Sequence, residues 1–264
     1  MGKRRHGGGE MSLANPRVAF VHIPRTAGTS FGTLLDELYC GRQSAKFYGD
    51  EQSSVVNEKI DAFRCLSASA KAGFDMLRGH FVYGFDSDLR DVHHVTLLRE
   101  PTQRLVSFYF YALKDRSNYL HSYLLQRRLG LEQFLQSDAT IDLDNYQVRA
   151  ISGVRFRSVR ERVSQRHLDE AKYNLVERFT AFGLTEQFDQ SMNCFARKFM
   201  WDLPHLERKN EGAYGPDVTL SESCLNYITD RNQFDMELYS FAKDLFESTA
   251  DAGDCIVNQT TRSV

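Results

Sequence analysis

The segment VAFVHIPRTAGTSF, residues 18 to 31, constrains the fold more than any other stretch. Val18 to His22 is a short, β-branched apolar run and reads as a buried strand. A turn through Pro24, Arg25, Thr26, Ala27 and Gly28 follows. Thr29 to Tyr39 then reads as a helix, with Leu34, Leu35 and Leu38 on one side. The backbone N–H groups at a helix start carry partial positive charge and have no partners within the helix. A strand that turns tightly into a helix aims them at one point and makes an anion site. Gly28 lets the backbone come close. Thr26, Ala27, Thr29 and Ser30 line the same loop, with hydroxyl donors at Thr29 and Ser30, and Arg25 adds a fixed cationic fork. The Gly-Lys-Ser/Thr ending that holds magnesium in NTPases is missing. The loop therefore suits a phosphate-type ligand whose chemistry needs no metal. Taken alone, the segment is also compatible with an ordinary strand–turn–helix connection.

A second stretch, LLREPTQRLVSFYFY (residues 97 to 111), changes that balance. His93 to Leu98 reads as a strand, and Arg99 sits at its C-terminal end. Pro101 is well placed as the first residue of a helix. Ser107 falls two turns into that helix, and Arg104 shares its face. An Arg at the strand end and a Ser facing the same way can grip one phosphate together. Two anion sites at the C-terminal ends of neighbouring strands suit a ligand with two phosphate-like ends, the edge where open α/β sheets bind ligands.

These two motifs resemble the cofactor motifs of the carbohydrate sulfotransferases, which use 3′-phosphoadenosine 5′-phosphosulfate (PAPS). HIPRTAGTSF is similar to the family's 5′-phosphosulfate loop, usually HIPKTAGTS. LLREPTQRLVSFYFY is similar to its 3′-phosphate motif, Arg-x-Pro-x-x-Arg-x-x-Ser-x-Tyr. Weaker echoes are Gly79-His80-Phe81, Asn145-Tyr146-Gln147-Val148-Arg149 ahead of Ser152-Gly153, FGLTEQFDQS and FDMELYSFA. Together they run from about residue 18 to 248. The resemblance points to the branch of heparan sulfate and uronyl 2-O-sulfotransferases and their bacterial relatives. It implies a P-loop-like parallel sheet flanked by helices, PAPS as donor, no metal, and an oligosaccharide, polysaccharide or glycolipid acceptor. It also implies His80 as general base, Arg25 at the leaving group, and Arg99 and Ser107 on the 3′-phosphate. Arg25 departs from the family, which usually has Lys there. Lys is a compact donor, whereas Arg binds phosphate well and gives up its proton far less readily. Asn145, Gln147 and Arg149 are candidate acceptor contacts, with helix packing as the alternative.

The rest of the chain agrees with an α/β class. Phe74 to Leu77 is a weak strand and Phe179 to Leu184 a clear one. Residues 41 to 60 read as loop with a short helix. From residue 120 the pattern is mostly helical: Leu120–Leu129, Leu131–Gln136, Asn145–Ser152, Gln165–Glu177, Gln187–Trp201, Ser221–Thr229 and Asn232–Ser248. This gives a helix-rich C-terminal half. Residues 17–250 form the expected single domain, between tails at 1–16 and 251–264.

His22 and the His93–His94 pair compete with His80 but read as structural. Phe108 to Tyr111 reads as core rather than as an adenine platform. The polar loop with Arg208, Lys209 and Asn210, and the arginines of VRFRSVRERVSQRH (residues 154–167), read as solvated.

The chain has 264 residues, is 42% hydrophobic and carries a net charge of −2. That is not the basic balance of a general nucleic-acid binder. Five dispersed cysteines without CxxC spacing argue against a disulfide framework or a zinc site. No stretch approaches the roughly 18–20 apolar residues of a membrane span. A soluble, cytoplasmic enzyme of bacterial type is expected, with a trimmed lumenal catalytic domain as the alternative. Rival functions are a non-catalytic PAPS- or glycan-binding relative and a nucleotide kinase with a degenerate loop.

Overall fold

The computed structural model describes residues 15–49, 54–89, 91–154, 161–203 and 218–251. Five strands carry the architecture: β1 (Val18–Val21), β2 (Ser44–Phe47), β3 (Met76–Gly79), β4 (His93–Leu98) and β5 (Phe179–Leu184). Helices α1 (Gly28–Leu38), α2 (Ser54–Arg64) and α3 (Ala68–Ala72) lie between the first three strands. Between β4 and β5 come α4 (Pro101–Lys114), α5 (His121–Arg127), α6 (Leu131–Leu135), α7 (Tyr146–Ser152) and α8 (Gln165–Glu177). After β5 come α9 (Phe188–Phe199), α10 (Glu222–Arg231) and α11 (Gln233–Asp251). The class is α/β with a helix-rich C-terminal half, as the sequence predicts.

The sheet is parallel throughout, in the order β2-β3-β1-β4-β5. Parallel sheets are covered on both faces, so their strands read as continuous apolar runs. β1 shows this, with all four residues buried. Val18 and Phe20 pack with Phe31, Leu34 and Leu35 of α1 and with Phe195 and Phe199 of α9. Ala19 and Val21 face the opposite side, with Phe63 of α2, Leu168 of α8 and Leu238 of α11. A third apolar cluster joins α4, α5, α6 and α10. Each fully buried side chain of this size stabilises the fold by about 1.5–3 kcal/mol.

β4, β5 and α8 have the predicted limits, and β1 and α1 differ by a residue at an end. β3 begins two residues later than expected, so Arg78 and Gly79 belong to the strand. β2 was not expected. Its sequence, SAKF, is polar because it is an edge strand with only Phe47 buried. α3, a single short helix capped by Ser67, was also not expected.

The register sets the ends of β1, β2 and β3 level, and β4 runs two residues further. Val21 pairs with Gly79 on one side and Thr96 on the other, and Phe47 pairs with Gly79. His22, Tyr48, His80 and Arg99 therefore leave the sheet at one edge. No helix among the described residues is long and apolar enough to cross a membrane. Residues 1–14 and 252–264, Arg208 to Asn210, and residues 155–160 of the arginine-rich segment lie outside the described residues.

Candidate active site

Between β1 and α1 the chain makes two left-handed excursions at non-glycine residues, Arg25 (φ 72°) and Ala27 (φ 59°). Such conformations cost about 1–3 kcal/mol each and persist only where the surroundings impose them. Here several contacts do so. The Thr26 hydroxyl is fully buried and donates to the Ile23 carbonyl at 2.8 Å. Arg99 Nη1 donates to the Arg25 carbonyl at 3.1 Å. Thr26 thus locks the loop with its side chain rather than presenting it, whereas Thr29 is exposed and Ser30 partly so.

Gly28 has a specific steric reason. A Cβ there would fall 1.9 Å from Nε2 of His22. The imidazole lies against the first turn of α1, and only glycine leaves room for it. The start of α1 has no side-chain cap and no acidic residue in its first turn. Its partial positive charge is therefore not offset by a carboxylate of the helix's own first turn. α4 contrasts with it. There Glu100 accepts from the N–H groups of Thr102 (3.0 Å) and Gln103 (2.7 Å), so that helix start is already filled. Of the two helix starts, that of α4 is closed by its own Glu100, and that of α1 carries no side-chain cap.

The two sequence motifs meet in space. Arg25 Nε donates to Ser107 Oγ at 3.2 Å. The Arg25 guanidinium lies over the Tyr111 ring, 4.4 Å from its centroid. Ser107 is buried on α4. Arg99 is partly buried, and that burial lowers its pKa while Glu186 and Glu100 act against the shift. Gln147 brackets Arg99: its Oε1 accepts from Arg99 N at 3.0 Å and its Nε2 donates to Arg99 O at 2.8 Å. Arg104 is fully buried. Its Nη2 reaches the Asp142 carbonyl, while Nε and Nη1 have no hydrogen-bond partner among the described residues.

His80 leaves β3 directly after Gly79, whose φ of 154° and 2.3 Å clearance from the Phe47 carbonyl exclude a side chain. The His80 ring packs 4.9 Å from that of His22 and 5.0 Å, edge-on, from that of Tyr48. Burial pushes its pKa down to about 4, with Asp142 opposing the shift. His22 is held well below the ordinary value by burial, then by His80, Arg78 and Arg25. Both imidazoles are therefore neutral at pH 7, the form that can accept a proton. Tyr48 links this group: its hydroxyl bonds His22 Nδ1 at 2.9 Å and accepts from Arg78 Nη1 at 3.3 Å. Its phenol is pushed up to about 12 by burial. Arg78 in turn donates to Asp36 at 2.6 Å.

The three candidate acceptor residues occupy buried positions at the junction of α7 with α10 and α11. Asn145 Oδ1 accepts from Phe234 N and Asp235 N, both at 3.0 Å, and its Nδ2 donates to Asp144 and the Arg231 carbonyl. Arg149 donates to the Asp144 carbonyl at 2.7 Å and the Glu161 carbonyl at 2.8 Å. Gln147 serves Arg99 as described. His93 and His94 begin β4, at the opposite end of the sheet from the loop. Of the aromatic run, Phe108 and Tyr109 are core, as expected, but Tyr111 is half-buried beneath Arg25. Tyr48, Tyr111 and Arg78 were not anticipated as neighbours of the site.

The model of the sulfotransferase family matches residues 14–242, and the chain belongs to that family. Curated relatives carry matching names. It is 26% identical over 271 residues to heparan-sulfate 6-O-sulfotransferase 1-B of Danio rerio, covering 87% of this chain and 66% of that protein. It is 23% identical to heparan-sulfate 6-O-sulfotransferase 3 of Homo sapiens, covering 87% of this chain and 57% of that protein. It is 26% identical to the heparin sulfate O-sulfotransferase of Drosophila melanogaster, covering 87% and 72%. The chain thus spans less than two thirds of the length of the first two. The family expectation from the sequence holds, though two of these three relatives are named for 6-O rather than 2-O transfer.

Proposed function

We propose that the protein transfers the sulfuryl group of PAPS to a hydroxyl of a carbohydrate acceptor. One observation carries this reading: Arg25, Arg99 and Ser107 converge from two motifs at the strand edge, beside an uncapped helix start. Two cationic anion sites so joined fit a nucleotide phosphorylated at both 3′ and 5′ positions. PAPS supplies an electrophilic sulfur linked through oxygen to a good leaving phosphate.

The roles of the residues follow from their chemistry. Neutral His80 takes the proton of the acceptor hydroxyl as its oxygen bonds to sulfur. The α1 N–H groups and Arg25 stabilise the negative charge gathering on the departing phosphate oxygen. Arg99 and Ser107 hold the 3′-phosphate. Asn145, Gln147 and Arg149 act as braces: their partners are backbone and buried side chains of the protein, which favours positioning over acceptor contact. The relatives' names favour a heparan-type glycan chain, with 6-O transfer preferred to 2-O.

A non-catalytic donor-binding relative is the second reading, favoured by Arg25 where the family usually has Lys. A thermal-shift series separates the possibilities. Adenosine 3′,5′-bisphosphate is expected to raise Tm, and ADP with magnesium is not. With PAPS and a heparosan-type acceptor, wild type transfers sulfate, whereas His80→Ala keeps bisphosphate affinity and loses transfer. The acid limb of kcat/KM should fall near pH 4 to 5 rather than near 6.5, because His80 stays unprotonated down to about 4. A His80→Ala variant that transfers at the wild-type rate would remove His80 as base. Bisphosphate binding without transfer to any glycan would leave the non-catalytic reading.

A further inference from the structure

We propose that Tyr111 is a positioning residue that allows an arginine to serve in the phosphosulfate loop: its ring is the platform on which Arg25 lies, at the point where Arg25 also bonds Ser107. The inference rests on the reading that the loop holds PAPS.

A lysine reaches an anion as a flexible point charge, whereas a guanidinium acts through a plane whose orientation must be set. Three contacts set it here. The Arg25 carbonyl is held by Arg99, its Nε bonds Ser107 Oγ at 3.2 Å, and its Cζ lies over the Tyr111 ring, 4.4 Å from the centroid. With Nε and the plane fixed, the direction of the two Nη atoms is fixed as well. Ser107 and Tyr111 stand four residues apart on α4, so one helix face supplies both contacts.

The platform is itself braced. Asp115 follows one turn after Tyr111 at the end of α4, and Tyr111 and then Ser117 lower the pKa of its carboxyl. Asp115 also accepts from Ser117 N at 3.0 Å and Ser117 Oγ at 2.8 Å. The arrangement also joins the two ends of the nucleotide site. A Ser107 hydroxyl that accepts from Arg25 has its own proton to offer the 3′-phosphate. Arg25 thus faces the 5′ end while supporting the donor at the 3′ end.

Calorimetric titration with three nucleotides tests this. Adenosine 3′,5′-bisphosphate carries both phosphates, AMP only the 5′ one, and 3′-AMP only the 3′ one. Tyr111→Leu is expected to weaken the bisphosphate and AMP by about 3- to 30-fold, the range of an aromatic–cation contact. It should weaken 3′-AMP much less. Tyr111→Phe, which keeps the ring beneath Arg25, should bind the bisphosphate within about twofold of wild type. Arg25→Lys with Tyr111→Leu should bind no worse than Arg25→Lys alone. Equal weakening of all three nucleotides by Tyr111→Leu would overturn the proposal, as would a Tyr111→Leu penalty undiminished in the Arg25→Lys background. Failure of the wild type to bind the bisphosphate would instead remove the PAPS reading on which the proposal stands.

Discussion

Gly28 shows how far a single hydrogen can determine a site. The imidazole of His22 occupies the space where any other residue would place its Cβ, and it is stacked on Phe20 with ring centroids 5.2 Å apart. Gly28→Ala is therefore expected to destabilise the protein by about 1–3 kcal/mol, the usual cost of overpacking. It should also abolish bisphosphate binding by displacing the loop. His22→Ala in the same chain empties the space that the new methyl needs. The double variant should unfold in urea at a higher concentration than Gly28→Ala alone, a non-additivity expected only of neighbours in contact. Strictly additive losses would show that the glycine is required for another reason. The sequence alone assigns this glycine to close approach of a ligand, because periodicity cannot reveal that the tenant is a histidine six residues earlier.

At the scale of elements, α7 fixes the end of β4. Gln147 meets both backbone polar groups of Arg99 with one side-chain amide, and Asp235 of α11 holds the start of α7 by accepting from the N–H groups of Gln147 (3.1 Å) and Val148 (2.8 Å). Gln147→Leu leaves the Arg99 N–H and carbonyl without these partners, a loss of about 1–3 kcal/mol. Calorimetry should show weaker binding of the bisphosphate and of 3′-AMP, with AMP much less affected. Equal losses for AMP and 3′-AMP would mean that Gln147 supports the whole sheet edge and not the 3′-phosphate end. What the sequence made legible at this scale is what local chemistry encodes. β1 and β4 are apolar runs that end at turn residues, and Pro101 announces α4. The pairing of Gln147 with Arg99 spans 48 residues and that of Arg25 with Ser107 spans 82, so no local pattern contains them. β2 has no signature in the sequence because an edge strand with one buried residue forms no apolar run. Tyr111 was hidden in an aromatic run whose first two members are core.

For the whole molecule, buried neutral histidines tie stability to pH. His80 and His94 both have pKa values pushed down to about 4 by burial, and His22 is held well below its ordinary value by burial first and then by His80, Arg78 and Arg25. In the unfolded chain each returns to about 6.5. Between pH 6.5 and 4 the unfolded state therefore binds more protons, and stability rises with pH across that window. The contribution is complete above 6.5 and is lost as pH falls towards 4. Asp235 acts in the opposite sense. Burial raises its pKa, so its protonation favours the folded state at the acid end. His94 isolates one share of the effect, since it lies at the far end of the sheet from the site. Around it are the rings of Tyr83 (4.9 Å) and Phe179 (6.1 Å), the Val92 backbone, and His93, whose charge lowers its pKa. A shift from 6.5 to about 4 corresponds to about 3 kcal/mol at most. Urea unfolding of wild type should thus give a markedly lower free energy at pH 4.5 than at pH 7. His94→Gln, which cannot titrate, should reduce that difference by up to about 2 kcal/mol, because at pH 4.5 the folded-state pKa of about 4 has not yet been passed, whatever it costs in packing at pH 7. The same pH difference in both proteins would place the acid sensitivity in the His22–His80 pair or in the carboxylates. Bisphosphate added to wild type then separates these, because a ligand seated beside His22 and His80 protects that pair and leaves the remote carboxylates unchanged.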